Sequence, residues 1–255
     1  MIVRPKKSLG QHFLTQPDIA ERIANSCNDE SFDRIIEVGP GKGMLTQFLI
    51  PNHLEKLTVI EIDDESIIYL QQNFPQLKNH IINDDFLQMD LTFFNAEKIA
   101  IIGNYPYNIS SQIIFKVIEN RHLVTCCAGM FQREVALRIC ASPGNKDYGI
   151  LSVLTQAFYN CEYLFTVDEH VFHPPPKVKS GVIKIKRNKL NQLDCDEVKF
   201  KLVVKTAFNQ RRKTMHNALK PINNTGIDFP YKSQRAEELS VAQFVELTNI
   251  LYPHN

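Results

Sequence analysis

Asn104-Tyr105-Pro106-Tyr107 brings together residue types suited to one chemical problem. An exocyclic amine such as N6 of adenine is a poor nucleophile, because its lone pair is delocalised into the ring. Acceptors that take hydrogen bonds from both N–H groups favour a tetrahedral nitrogen with a localised pair, able to attack a methyl donor. The side-chain oxygen of Asn104 and the carbonyl of Pro106 can be those acceptors, and the fixed φ of Pro106 holds its own carbonyl in place. Tyr107 supplies a flat face on which a flipped-out base can stack. A proton that leaves after methyl transfer needs no general base, so no catalytic His is required. Asn-x-Pro also occurs as a plain strand-ending turn, and the chemical reading gains its weight from two motifs upstream.

The first is Glu37-Val38-Gly39-Pro40-Gly41-Lys42-Gly43. At Gly39 and Gly41 the backbone can turn sharply and approach a ligand that a Cβ would exclude. A dinucleotide fingerprint would place its third glycine three residues after Gly41, where Met44 stands. The G-x-G-x-G spacing fits an S-adenosylmethionine loop instead. The second is Glu61, 22 residues beyond Gly39 and at the end of the next apolar run. A carboxylate there can accept from both ribose hydroxyls of such a cofactor. Asp84 and Asp85 end the following run, and Asp85, directly before Phe86, is assigned to the cofactor's adenine amino group.

These groups need a frame that gathers them at one edge. Arg34–Gly39, Leu57–Ile62, His80–Asn83, Ala100–Gly103 and Thr125–Gln132 read as strands, separated by helical patterns over Met44–Leu49, Glu65–Phe74 and Ser110–Asn120. A further helix starts at Pro17 with apolar Ile19, Ile23 and Cys27. Strands alternating with helices predict right-handed βαβ units and a doubly wound parallel sheet, whose carboxyl edge binds cofactors. Glu162–Val167 and Val182–Lys186 predict an antiparallel end to the sheet. Glu197–Leu219 and Ser233–Leu251 read as helices, the second broken near Leu239 by a capping box of Ser240 and Gln243. The expected division is a cofactor-binding domain over 1–188 and a small all-helical domain over 189–255.

With 29 Lys+Arg against 28 Asp+Glu in 255 residues, the net charge is only +1. That total conceals blocks: residues 1–17 carry +3, 18–176 carry −10, 177–220 carry +10 and 221–255 carry −2. An acidic body flanked by basic segments can attract a polyanion despite overall neutrality. No apolar run approaches the ~20 residues a membrane-spanning helix needs. No signal-peptide pattern is present, and the six scattered cysteines have no metal-ligand spacing. They read as reduced thiols of a cytoplasmic protein without a bound metal.

The motifs in this order resemble the ribosomal RNA adenine N6-dimethyltransferase family, in its small-subunit branch. The similarity covers essentially the whole chain. It runs from Lys7-Ser8-Leu9-Gly10-Gln11-His12-Phe13-Leu14 through EVGPGKG, Glu61 and GNYPYNIS to Phe172-His173-Pro174-Pro175-Pro176-Lys177-Val178. It continues into Phe208-Asn209-Gln210-Arg211-Arg212-Lys213 and Arg235-Ala236-Glu237-Glu238-Leu239-Ser240. The resemblance implies a Rossmann-like S-adenosylmethionine methyltransferase sheet with a small helical C-terminal domain. It also implies cofactor contacts at His12, Leu14, Gly39, Glu61, Asp85 and Asn104. His12 stands where the family more often has Asn, and Tyr105 replaces the usual Leu or Ile and should pack beneath the site. Phe172 matches a family aromatic that stacks on the far face of the target adenine; without the resemblance it reads as a core residue.

The implied activity is dimethylation of two adjacent adenines near the 3′ end of 16S rRNA, in a small ribosomal subunit or its precursor, by a monomer with no membrane partner. RNA contacts are expected from Arg4, Lys6 and Lys7 and from the basic segment Arg211, Arg212 and Lys213, through phosphate charge rather than base readout. Arg211 and Arg212 could instead pair with acids such as Glu237 or Glu238. A large-subunit methyltransferase of the antibiotic-resistance type and a non-catalytic ribosome assembly factor are the alternative functions; a nicotinamide oxidoreductase is disfavoured by Met44.

Overall fold

A computed structural model describes residues 3–223 and 226–253. Residues 1–2, 224–225 and 254–255, which the expected domain bounds include, lie outside the described residues. The strands are, in chain order, β1 (Phe13–Leu14), β2 (Arg34–Val38), β3 (Leu57–Glu61), β4 (Ile81–Asn83), β5 (Ile99–Asn104), β6 (Val124–Gln132), β7 (Tyr159–Val167), β8 (Phe172–His173) and β9 (Ser180–Arg187). The helices are α1 (Pro17–Ala24), α2 (Thr46–His53), α3 (Asp64–Asn73), α4 (Ser110–Glu119), α5 (Arg133–Cys140), α6 (Ile150–Gln156), α7 (Glu197–Asn209), α8 (Met215–Ala218) and α9 (Val241–Leu251).

Seven strands form one sheet in the order β4-β3-β2-β5-β6-β9-β7. The pairs β2–β3, β3–β4, β2–β5 and β5–β6 are parallel, and β9 runs antiparallel to β6. Every residue of β3 is buried, as are the last four of β2 and the first five of β5. That is the signature of strands covered on both faces, and it explains their near-continuous Ile and Val. From β2 the chain winds outward to β3 and β4, then returns to place β5 on the other side of β2. The crevice at this reversal, beyond the carboxyl ends of β2 and β5, is where such sheets bind ligands. It receives Gly39 from one strand and Asn104 from the other.

Two short elements escaped the periodicity reading. The two-residue strands β1 and β8 pair antiparallel, Leu14 opposite Phe172 and Phe13 opposite His173. Two residues are too few to show alternation, so only the tertiary pairing defines them. Helices α5 and α6 were also unforeseen.

The chain divides into two compact units, Met1–Ala136 with Cys161–Arg187, and Leu137–Asn160 with Asn188–Asn255. The expected single cut at 188 coincides with one crossing, but 137–160 belongs with the C-terminal unit. The reason is apolar burial within that unit. Tyr148, fully buried, sits with its ring 6.1 Å from Phe208 of α7, and Phe208 lies 5.9 Å from Phe244 of α9. The segment expected as one helix over 197–219 ends at Asn209. Thr214 turns extended and bridges Arg235, and the N–H groups of Met215 and His216 donate to the carbonyls of Gln234 and Lys232 instead of to helical partners. The box of Ser240 and Gln243 does open a helix, α9, with each residue's side chain accepting from the other's backbone N–H; a short 3-10 turn, Ala236–Glu238, precedes it. Among the described residues no helix is long and apolar enough to cross a membrane.

Candidate active site

A cavity of about 200 Å³ opens at the reversal, lined from five segments of the first unit, 9–14, 37–42 with Met44 and Leu45, 60–62, 84–87 and 104–109, and by Ile23. It gathers His12, Leu14, Gly39, Gly41, Glu61, Asp85, Asn104, Pro106 and Tyr107, which are spread over almost a hundred residues of chain.

The glycine loop explains itself stereochemically. Gly39 and Gly41 have φ of +69° and +55°, the left-handed region that side chains disfavour. A Cβ on Gly41 would lie 2.9 Å from the Phe13 ring, filling the floor of the cradle. The Gly41 N–H donates to Glu61 Oε2 at 3.0 Å, and Glu61 Oε1 accepts from Ile62 and Asp63 N–H at 2.9 and 3.0 Å. These three bonds lock the carboxylate of a residue only 5% exposed. Burial raises its pKa, and the backbone N–H groups oppose the rise. Three of the four acceptor sites are thereby used, and Oε2 retains one with which the group can still accept from a ribose hydroxyl. Asp85 is half-buried at the cavity, whereas its neighbour Asp84, also in the lining, is exposed. Asp85 Oδ1 accepts from Leu87 N–H at 2.9 Å, which orients the carboxylate. A cradle that admits no Cβ at Gly41, with two acceptor carboxylates beside it, suits a nucleoside-bearing ligand.

Asn104 ends β5 with its amide oriented by one bond: Nδ2 donates to the His12 carbonyl at 3.1 Å. Its Oδ1 is the acceptor left over. His12 Nδ1 faces the Pro174 carbonyl at 2.8 Å, and the His12 and Tyr107 ring centroids are 5.5 Å apart. Tyr105 points the other way. It is buried, its hydroxyl donates to the Ala128 carbonyl at 2.8 Å, and its ring lies 4.8 Å from Phe131. A Cβ at Gly129 would meet the Gly103 carbonyl at 2.2 Å and Tyr105 at 2.5 Å, so two glycines make room for this large residue beneath the site.

Sequence reasoning passed over three polar residues here. Glu37 is 1% exposed and lines the cavity; burial pushes its carboxyl up to about 8, with nearby Glu61 adding to the push. Its position directly before the glycine loop was the available signal. Asp63 accepts from Ser66 Oγ at 2.8 Å and Gln11 Nε2 at 3.3 Å and pairs with Lys6, tying the segment before His12 to the end of β3. Ser180 contacts Tyr107, and no sequence signal marked it.

Three expectations need correction. Phe172 is not brought to the cavity: it is 4% exposed within the core that includes Leu14, Ala128 and Val182. Alternation along β8 turns Phe172 inward and His173 out. Lys6 is not a free cation, being paired with Asp63 and with Glu65 at 3.2 Å. Arg211 pairs through Nε with Glu237 at 2.6 Å, and its guanidinium also donates to the Lys146 carbonyl, all within the second unit. The structural option for Arg211 is therefore the one realised. The basic block 177–220 is partly neutralised too, by Lys179–Asp168 at 2.5 Å, by Lys186–Glu30 at 2.9 Å, and by Lys184 with Asp29 and Glu30. Arg4, Lys7, Arg212 and Lys213 are exposed.

The sheet order, and the motifs it collects at one edge, define a Rossmann-like methyltransferase fold with a helical C-terminal region. Residues 2–252 match the family described as ribosomal RNA adenine dimethylase, and the chain belongs to that family. It is 54% identical to the ribosomal RNA small subunit methyltransferase A of Parabacteroides distasonis over 99% of this chain and 96% of the relative. Its likeness to the protein of that name from Bacteroides thetaiotaomicron is also 54%, over 97% of this chain and 94% of the relative. Among solved structures, a dimethyladenosine transferase from Plasmodium falciparum superposes with a TM-score of 0.77 at 25% identity, covering 92% of this chain and 96% of the other. A 23S rRNA methyltransferase, ErmE, shares the fold with a TM-score of 0.69 at 23% identity, covering 94% and 99%.

Proposed function

We propose that the protein dimethylates N6 of two adjacent adenines near the 3′ end of 16S rRNA, using S-adenosylmethionine, as a step in small-subunit biogenesis. The observation that carries this reading is Asn104, whose amide nitrogen is committed to His12, so that its oxygen remains as acceptor at the cavity. The relatives named for small-subunit RNA supply the choice of substrate.

The bound cofactor supplies an electrophilic methyl on a sulfonium. Gly39 and Gly41 admit it closely, Glu61 accepts from a ribose hydroxyl, Asp85 accepts from its adenine amine, and His12 and Leu14 close the near wall. Asn104 Oδ1 and the Pro106 carbonyl take the two N–H groups of the target amine and localise its lone pair toward the methyl. Tyr107 stacks on the extruded base. The N–CH3 bond would form as the donor's S–CH3 bond breaks, leaving S-adenosylhomocysteine; the methylated nitrogen would then lose its proton to water, and a second donor molecule would give the dimethyl product. RNA is held by phosphate contacts from exposed cations, with Arg4, Lys7, Arg212 and Lys213 assigned that role.

The test uses labelled S-adenosylmethionine with small subunits lacking the modification, and naked large-subunit RNA as a second substrate. Labelled N6-dimethyladenine at two adjacent 3′ positions of 16S rRNA is the expected product. Label confined to large-subunit RNA would transfer the protein to the other branch, and cofactor binding without any transfer would make it an assembly factor.

A further inference from the structure

The segment that includes Phe172 does reach the active site, but through other residues. Ser180 Oγ lies 2.5 Å from the Tyr107 hydroxyl. Ser180 is completely buried, and its register position in β9 is opposite Gln132 of β6. The next residue, Gly181, is closely flanked: a Cβ there would meet Ala136 and Tyr163 at 2.8 Å. Ser180 thus anchors Tyr107 to a buried position of a paired strand. Tyr107 is fixed at two points, its backbone following Pro106 and its phenol on Ser180. At the other end of the same segment, the Pro174 carbonyl holds His12 Nδ1 at 2.8 Å. The two rings so held, His12 and Tyr107, stand 5.5 Å apart at an interplanar angle of 31° beside Asn104.

Building on the proposed adenine methylation, we infer that Ser180 is a positioning residue that fixes the direction of the Tyr107 ring axis, and that residues 174–180 act on the target base through the rings they hold. Stacking depends on the ring presenting its face at the right tilt. An amine held by two acceptors must also keep its nitrogen in line with the methyl, where small misplacements are costly. A phenol hydrogen-bonded to a buried strand residue removes the swing about Cα–Cβ that would otherwise blur both. The Ser180–Tyr107 bond, unlike the Pro174–His12 contact, touches no residue assigned to the cofactor, so its loss should fall on RNA and not on cofactor.

The experiment is a double-mutant cycle on the full-length protein, with Ser180→Ala, Tyr107→Phe and the double variant. It measures kcat/KM on under-methylated small subunits, Kd for S-adenosylmethionine, and Tm. The inference expects each single variant to lose about tenfold or more in kcat/KM, with cofactor Kd within about twofold of the parent, and the double variant to be no worse than the poorer single one. Tyr107→Phe leaves the buried strand untouched, so it reports on the bond even if Ser180→Ala lowers Tm. Additive losses, or full activity in Tyr107→Phe, would overturn the inference. An unmodified protein that transfers no methyl to adenine would instead overturn the proposed function.

Discussion

Asn104 Nδ2 donates to the main-chain carbonyl of His12 at 3.1 Å, across 92 residues of sequence. This bond decides which end of the amide faces the cavity, because a carbonyl can only accept. The acceptor end is therefore available to an incoming amine.

Asn104→Ala should keep the fold and abolish transfer. Removing one positioned polar group from a reacting centre costs on the order of 10²–10³ in kcat. Methyl incorporation per folded molecule, checked against an unchanged Tm, is the measurement; a loss under threefold would refute the assigned role.

Glu37 predicts a pH dependence of stability. Its carboxyl stays protonated in the native state up to about 8, whereas in the unfolded chain it titrates near 4.5. As pH rises between these values the unfolded state releases the proton first, so the contribution present below 4.5 is progressively lost and has gone above 8. Urea unfolding of the cofactor-free protein at pH 5.5 and pH 8.5 should show Glu37→Gln gaining on the parent at the higher pH. Parallel curves for the two proteins would be the contrary result.

Phe172→Leu should act on stability and leave chemistry nearly intact. A buried Phe to Leu change costs on the order of 1–2 kcal/mol, since much of the volume is kept. A hundredfold loss of kcat with little change in Tm would return Phe172 to the base-stacking role.

Arg211 and its neighbours should separate by salt dependence. Arg212→Ala and Lys213→Ala are each expected to reduce the slope of log K against log salt for RNA by about 0.7–0.9. Arg211→Ala should leave the slope near the parent's and destabilise the second unit modestly, since its Glu237 pair is partly exposed. Equal slopes for Arg211→Ala and Arg212→Ala would contradict that division.

Gly41→Ala should weaken cofactor binding at least about tenfold. The Cβ meets Phe13, and φ of +55° is unfavourable for alanine. Isothermal titration with S-adenosylmethionine checks it, with affinity equal to the parent as the opposing outcome.

The site was legible in the chain to the extent that its chemistry is local. A glycine loop, an acid at a strand end and Asn-x-Pro-Tyr are each determined by residues a few positions apart, and a doubly wound sheet brings strand ends to one edge as a matter of topology. The buried strands and the Ser240 box were likewise local. What only the tertiary structure decided are partnerships across long stretches of chain. Whether Lys6 and Arg211 remain free to meet phosphate depends on Asp63 and Glu237, which lie 57 and 26 residues away. Whether Phe172 faces a base or the core depends on a two-residue pairing with Leu14. The opening of Gly103 and Gly129 for Tyr105 follows the same rule. Charge and aromaticity are written in the sequence, but the partner that uses them is chosen by three-dimensional proximity. The +10 of residues 177–220 is the clearest case, a block partly neutralised by Asp29 and Glu30, which stand far from it in the chain.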